Sequence, residues 1–178
     1  MTVFRAFRSE RRANVWDGTR YTFNLRRSDV DGDGNLLPSR VPSYIDVSLV
    51  HFFIKTRMSA IVRREGWVPV VLSSIQLRAQ PRVPKGKLEI HTRVVGWRDH
   101  YVEMWHTWFD ASGNEILRSI YITRVTQGGR KKVTGEDMLR ALGEDIVDRP
   151  LSEIAARQLD DYLATRDANR NADSMAQP

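Results

Sequence analysis

The chain has 178 residues, no cysteine, and 28 lysines and arginines against 22 acidic residues, a formal net charge of +6. This length suits one domain that folds without disulfides or a structural metal. The absence of cysteine excludes disulfide frameworks, zinc–thiolate and iron–sulfur sites, and a thiol nucleophile. No apolar run reaches the roughly 18–20 residues of a membrane span, and the first residues lack a signal-peptide pattern, so we expect a cytoplasmic protein. Dispersed basic residues favour a solvated surface over a nucleic-acid-binding one.

The first half of the chain predicts one strand and one long helix. Residues 1–19 are basic and form an N-terminal extension. Residues 20–27 (RYTFNLRR) alternate apolar and polar side chains, which is the period of a strand. The following residues, 28–43, are rich in Asp, Gly and Pro and predict a loop. From Pro42 to Gly66 apolar residues recur every three or four positions, which predicts a single buried helix of about 20 residues.

The second half predicts strands and then helices. Alternating, β-branched or aromatic-rich runs indicate four strands, over residues 68–77, 88–95, 101–109 and 116–126. Residues 134–142 and 150–163 predict two helices, and residues 168–178 carry no periodicity and are expected to be disordered. Residues 20–167 would then form one domain. Because a single helix interrupts the strands, the pattern predicts an α+β fold with an antiparallel sheet packed on one central helix and extra C-terminal helices.

The loop before the helix contains closely spaced carboxylates. Asp29, Asp31 and Asp33 fall at positions one, three and five of an EF-hand-type calcium loop, and Gly34 at its turn. Position twelve, which normally supplies a bidentate carboxylate, is Arg40, and the segment entering the loop has strand period instead of helical period. A calcium-binding module is therefore the less favoured interpretation, and we expect no metal site and no cofactor.

The same loop, together with the order of elements around it, resembles the hot-dog-fold thioesterases of the 4-hydroxybenzoyl-CoA thioesterase-like superfamily. Their pattern is close to D-x-D-x-x-G-H-[VLM]-N-N-x-x-Y, and Asp29, Asp31, Gly34 and Leu36 match it. Asp46 falls at the acidic position of the helix. The stretch 70–110 is also similar in its hairpin spacing and its Gly-Trp turn, so the resemblance covers about residues 20 to 127. It implies a hot-dog fold and a homodimer or homotetramer whose site lies between protomers.

The chain departs from this family pattern at the start of the helix. Asn35 stands where the family usually has His, and Leu37-Pro38 where it often has Asn-Asn. In a gapless register the oxyanion donor falls on Pro38, which has no N–H. If the loop is three residues longer, Tyr44 occupies the family's Tyr position and the N–H of Val41 becomes the donor. The sequence is compatible with both registers.

The resemblance implies an acyl-CoA thioesterase, or a relative acting on another acyl thioester carrier. It assigns the catalytic carboxylate to Asp31, as general base or nucleophile, with Asp46 as the helical alternative. The N-terminus of the helix would supply the oxyanion site. Candidate substrate-binding residues are Asn35, Val41 and Tyr44 from the loop and helix start, Ser73 and Ser74 from the next strand, and Arg82 and Lys85 for the phosphates of CoA. A non-catalytic protein that binds acyl thioesters is the alternative, because Asn35 and Pro38 depart from the catalytic pattern.

Overall fold

The computed structural model describes residues 12–79 and 86–175, with side chains as far as residue 170. Its elements in chain order are β1 Thr19–Asn24, α1 Val41–Lys55, α2 Met58–Glu65, β2 Trp67–Arg78, β3 Lys87–Arg98, β4 Tyr101–Phe109, β5 Glu115–Gln127, β6 Lys131–Lys132, α3 Gly135–Leu142 and α4 Glu153–Met175. Two 3-10 turns, Arg27–Asp29 and Pro38–Arg40, lie in the loop between β1 and α1. Among the helices in these ranges, none is long and apolar enough to cross a membrane.

The strands form one antiparallel sheet in the order β1-β3-β4-β5-β2, and β6 pairs with the end of β5. The sheet therefore carries β1 and β2, which are the first two strands in the chain, at its two edges. Strand β4 extends from Tyr101 to Phe109, as predicted, and the other long strands exceed their predicted ranges at their ends. The predicted α+β class, an antiparallel sheet wrapped around a central helix, is confirmed.

The two faces of the sheet are covered by different helices. On the inner face, Ile45 and Phe52 of α1 pack with Ile90 and Trp108 in the main core. On the outer face, a second cluster of buried residues joins strand β5 to helix α4 and contains Tyr101, Ile120, Ile122, Ala155 and Leu159. Successive residues of a strand point to opposite faces, so β5 contributes to both cores.

The predicted helix from Pro42 to Gly66 is in fact two helices. Arg57, between α1 and α2, has a φ of 65°, in the left-handed region that non-glycine residues seldom adopt. The hydroxyl of Thr56 donates a hydrogen bond of 2.8 Å to the carbonyl of Phe52 and helps to close the last turn of α1. Gly66, with a φ of 64°, ends α2 at the predicted stop.

Residues 12–18, from the predicted extension, and helix α4, which reaches the predicted tail, belong to the described structure. Val15 and Trp16 lie in the main core, although they belong to the predicted extension. Gly18 passes so close to β3 that a Cβ there would lie 2.2 Å from the carbonyl oxygen of Thr92. Helix α4 continues to Met175, into the segment expected to be disordered. Residues 12–18 and α4 are thus parts of the folded structure.

Candidate functional site

Asp31 stabilises its own loop. It is exposed, and its Oδ1 accepts hydrogen bonds from the backbone N–H groups of Asp33 at 3.0 Å and Asn35 at 2.8 Å. The side-chain amide of Asn35 donates to its Oδ2 at 3.1 Å. The hydrogen bonds from Asn35 lower the pKa of Asp31 below its ordinary value. Both predicted residues of this loop, Asp31 and Asn35, therefore bond to each other in an Asx-type turn, which weakens the carboxylate as a base.

Asp29 joins the loop to α1. This buried carboxylate accepts a hydrogen bond of 2.6 Å from the hydroxyl of Tyr44 and one of 2.7 Å from the N–H of Arg26. The hydrogen bond from Tyr44 is the largest cause that lowers the pKa of Asp29, whereas burial raises the pKa of Tyr44 to about 12. Arg40, at the closing position of the calcium-type loop, lies 3.7 Å from Asp29. Tyr44 thus anchors the loop to α1. Within the described residues, no three metal-ligating side chains form a cluster.

The start of α1 does not present the expected oxyanion donor. The helix begins at Val41, as the longer-loop register requires. However, the N–H of Val41 is donated to the carbonyl of Pro38, and Val41 is fully buried. Pro42, the next residue, has no N–H. The assignment of Val41 as oxyanion donor is therefore corrected, because the preceding 3-10 turn uses its N–H.

The two serines of β2 face opposite sides of the sheet. A bulge between Val71 and Ser73 precedes them. Ser74 pairs with Tyr121, which belongs to the inner core, whereas Ser73 pairs with Ile122, which packs in the outer cluster. Cross-strand partners share a face. Only Ser74 therefore lies on the side of α1, and Ser73 is removed from the site. The other predicted contacts, Arg82 and Lys85, lie outside the described residues.

Polar side chains that the sequence analysis did not select connect α1 with the inner face of the sheet. The hydroxyl oxygens of Ser48 and Thr92 lie 2.6 Å apart. The Thr92 hydroxyl also lies 3.0 Å from Nδ1 of His106. The imidazole packs edge-on against Tyr121, with ring centroids 4.8 Å apart. Burial lowers the pKa of His106 to about 3, so the ring is neutral at physiological pH. A polar residue at an inward position of a predicted strand was the signal that could have identified His106.

Asp46 is an exposed carboxylate on α1, the helix that carries Ser48. It forms no hydrogen bond or ion pair with any residue in the described ranges, and its charge, after burial, raises the pKa of Tyr121. Leu49 and Phe53 follow Asp46 on one face of α1, at the spacing i, i+3 and i+7. The structure thus places Asp46, Tyr121 and Ser74 on the inner side of the sheet.

A cavity of about 120 Å³ lies between helices α1, α2 and α3, residues 15 and 16, and the inner face of the sheet. Its lining is aliphatic and aromatic except for Thr123 and Gly135. Leu49 and Phe53 contribute the α1 side of this lining. Such a surface favours an apolar group over a charged one.

No family model and no curated protein sequence matches the chain. Solved structures do match. The probable thioesterase YbaW of Escherichia coli aligns with 70% of this chain and 96% of its own, at 12% identity and a TM-score of 0.62. Slr0204 of Synechocystis, a 1,4-dihydroxy-2-naphthoyl-CoA thioesterase, aligns with 69% and 93%, at 12% identity and a TM-score of 0.56.

A third match is a mutant of 4-hydroxybenzoyl-CoA thioesterase complexed with 4-hydroxybenzoyl-CoA. It covers 71% of this chain and 99% of its own, at 16% identity and a TM-score of 0.56. Likeness at such low identity establishes the fold. The hot-dog architecture predicted from the acidic loop and the element order is therefore confirmed.

Proposed function

We propose, from the hot-dog fold that this chain shares with these thioesterases, that the protein hydrolyses an acyl-CoA or another acyl thioester. The observation that carries the proposal is the position of Asp46. Its carboxylate has no hydrogen-bond or ion-pair partner among the described residues, and its charge, after burial, raises the pKa of Tyr121 on the inner face of the sheet. Asp31, the other proposed carboxylate, already accepts hydrogen bonds from its own loop. We therefore prefer Asp46 as general base and retain Asp31 as the alternative.

The reaction needs a proton acceptor and a donor for the carbonyl oxygen. In this proposal Asp46 takes a proton from the attacking water, and the proton later passes to the departing thiolate. The hydroxyl of Tyr121 donates a hydrogen bond to the developing oxyanion, a role that Val41 cannot fill. Burial and the charge of Asp46 raise the pKa of Tyr121, so its hydroxyl stays protonated at neutral pH.

A second candidate function is acyl-thioester binding without hydrolysis. The occupied N–H of Val41 and the internal hydrogen bonds of Asp31 favour it, because both remove groups on which the family pattern depends. The two functions predict the same ligands and differ only in turnover.

We also propose that the protein acts as a homodimer or a homotetramer. Strand β2 is an edge of the sheet, and α1 exposes two valines. Large exposed hydrophobic residues on these two elements are Val47, Val50, Val68, Val70, Val71 and Leu77. An edge strand bordered by apolar side chains favours pairing with a second copy. Light scattering at micromolar concentration should give at least twice the mass of one chain, and a monomeric mass would contradict this assembly.

The catalytic proposal is tested with three matched Asp→Asn variants. Wild-type protein is first screened for thiol release from acyl-CoA substrates of graded chain length and from benzoyl-CoA. Asp46→Asn should lower kcat by about 10²–10⁴, the contribution of a positioned acid–base group. Asp33→Asn, in the exposed loop, is the control and should leave kcat unchanged.

Each other outcome points to a different conclusion. Loss of activity in Asp31→Asn with full activity in Asp46→Asn would assign the base to the loop. If the wild-type protein binds acyl-CoA in calorimetry but hydrolyses none of the substrates, the non-catalytic function is correct. Absence of both binding and hydrolysis would refute the thioester proposal altogether.

A further inference from the structure

Helix α4 leaves the side that faces β2 uncovered. Its Ala155 and Leu159 are fully buried against the outer face of the sheet. Residues 154, 158 and 161 each precede a residue of this sheet-facing side by one position, so they lie about 100° round the helix from it. We call these three residues the α4 flank: Ile154, Gln158 and Asp161. Together with Ile75 of β2 they line a groove on the surface.

The floor of the groove is the outer face of β2. Ile75 pairs with Ile120, which belongs to the outer cluster, and cross-strand partners share a face. Leu77 lies two residues further along the strand and therefore on the same face. Leu77 is 41% exposed, and Ile154 on the α4 flank is 47% exposed. A strand and a helix thus both present apolar side chains to the surface at this edge of the sheet.

The α4 flank also contains polar groups without partners. Oε1 of Gln158 is buried, and no donor within the described residues bonds to it. The carboxylate of Asp161 forms no ion pair or hydrogen bond with that part of the chain either. A buried oxygen without a donor destabilises a fold, so it indicates a partner that the single chain does not supply.

The charges beside the groove favour a second copy of the chain over a polyanion. Along this side of α4 they alternate in sign at every fourth residue, as Glu153, Arg157 and Asp161. The row contains two acidic residues and one basic residue, so it does not attract nucleic acid or anionic lipid, although the whole chain is basic. A row of alternating sign is complementary to a reversed copy of itself, which the two-fold axis of a homodimer provides.

The groove borders the edge at which a second copy is proposed to pair. Neighbouring strands lie about 4.8 Å apart, so a strand added to β2 would lie about 10 Å from β5. Helix α4 packs on β5, and a helix with its side chains has a radius of about 5–6 Å. The α4 flank therefore reaches over β2 towards the added strand. If that strand is the β2 of a second copy, its outer face brings further apolar side chains to the groove.

We propose that the α4 flank packs against the outer face of the partner's β2 in the homodimer, with Ile154 at the centre of the contact. The interface then has two sides, with α1 on the inner face of the joined sheet and α4 on its outer face. The inference rests on the proposed homodimer and not on the thioesterase activity. It can fail while the homodimer stands, because α4 can be altered without changing β2.

The dimer dissociation constant is measured by sedimentation equilibrium for matched variants of the full chain. Ile154→Asp should raise this constant by about tenfold or more, because the interface would bury an unpaired charge. Ile146→Asp is the control, because Ile146 is 48% exposed and lies outside the groove. The control should have the dissociation constant of the wild type.

Cross-linking tests the contact independently of its strength. The chain has no cysteine, so an introduced cysteine reacts without background. Ser73 lies near the middle of β2 and pairs with Ile122 of the outer cluster. Ile154→Cys protein is mixed with size-tagged Ser73→Cys protein, and a short bis-maleimide should join the two chains. Ile146→Cys protein in the same mixture should give no mixed species.

The result that overturns the inference is specific. If the wild type is a dimer and Ser73→Cys cross-links to its own copy, but both aspartate variants keep the wild-type dissociation constant and no mixed species forms, the homodimer stands and α4 is not part of its interface. A monomeric wild type refutes the homodimer and this inference together, and the hydrolysis assay then decides the thioesterase proposal by itself.

Discussion

The buried His106 makes the stability of the protein depend on pH. Its side chain is fully buried on β4, and its Nδ1 lies 3.0 Å from the hydroxyl of Thr92. Burial lowers its pKa to about 3, whereas histidine in the unfolded chain titrates near 6.5. Between these two values the unfolded chain binds a proton that the folded chain does not. The free energy of unfolding must therefore decrease as the pH falls below about 6.5, and His106 has no such effect above it.

The size of this effect follows from the separation of the two pKa values. At pH 5 the unfolded imidazole is about 1.5 pH units below its pKa, and at roughly 1.4 kcal/mol per unit the loss is about 2 kcal/mol. The substitution His106→Asn retains a polar atom near Thr92 but removes the titration. It should lower stability at both pH values through lost volume and reduce the difference between pH 7 and pH 5 by about 2 kcal/mol.

Urea unfolding at pH 7 and pH 5, at one ionic strength, measures this difference directly. His91→Asn is the comparison, because burial also lowers the pKa of His91 but this side chain is only partly buried, so its contribution should be smaller. If wild type and His106→Asn lose equal stability between the two pH values, burial does not hold His106 neutral, and the reasoning is refuted.

Three further results are expected. Gly96→Ala should destabilise the fold by about 1–3 kcal/mol in thermal melts, because the new Cβ would lie 2.3 Å from the carbonyl oxygen of Pro150. Gly32→Ala is the control and should be neutral, because no atom lies within 4 Å of its Cβ. Equal melting temperatures for the two variants would contradict the close approach of Pro150 to Gly96. Glu103→Ala removes the carboxylate that accepts hydrogen bonds from the backbone N–H and the hydroxyl of Ser152, just before α4. It should lower the free energy of unfolding by about 2–3 kcal/mol and speed amide hydrogen exchange in α4. Unchanged exchange would show that other contacts hold α4 in place. Calcium at millimolar concentration should leave the melting temperature unchanged, and a rise that EDTA reverses would revive the calcium-binding interpretation.

Strands and their faces were predictable where alternation is regular. Leu88, Ile90, Thr92 and Val94 alternate with polar or charged residues, and the structure buries these four side chains on β3. The bulge between Val71 and Ser73 breaks the alternation, so the serines that follow could not be assigned to a face from sequence. The break at Arg57 was missed for a similar reason. Apolar spacing of three and four continues across it, and an arginine carries no sign of a left-handed conformation.

The candidate site was predictable only in part, because its members are distant in sequence. The family pattern identified Asp31 and Asp46 as candidate catalytic carboxylates. The hydrogen bonds that Asp31 accepts within its loop depend on the folded geometry of the loop, so they could not be predicted. The charge of Asp46 affects the pKa of Tyr121, a residue 75 positions later, because folding places α1 on the inner face of the sheet that contains β5. The pairing that brings His106 beside Tyr121 likewise depends on strand register, which no local pattern specifies.

Residues 15 and 16 meet helix α3, which lies far along the chain, at one wall of the cavity. Asn14 donates a hydrogen bond of 3.1 Å to Glu144, 130 residues away, and the guanidinium of Arg149 lies 4.3 Å from the ring of Trp16. Contacts of such large sequence separation close a long loop, whose entropic cost makes them slow to form relative to hairpin contacts. The pocket is therefore expected to close late in folding, after the sheet has formed. A nascent chain would have its sheet before this cavity is enclosed, so enclosure of the cavity should report a late step of folding.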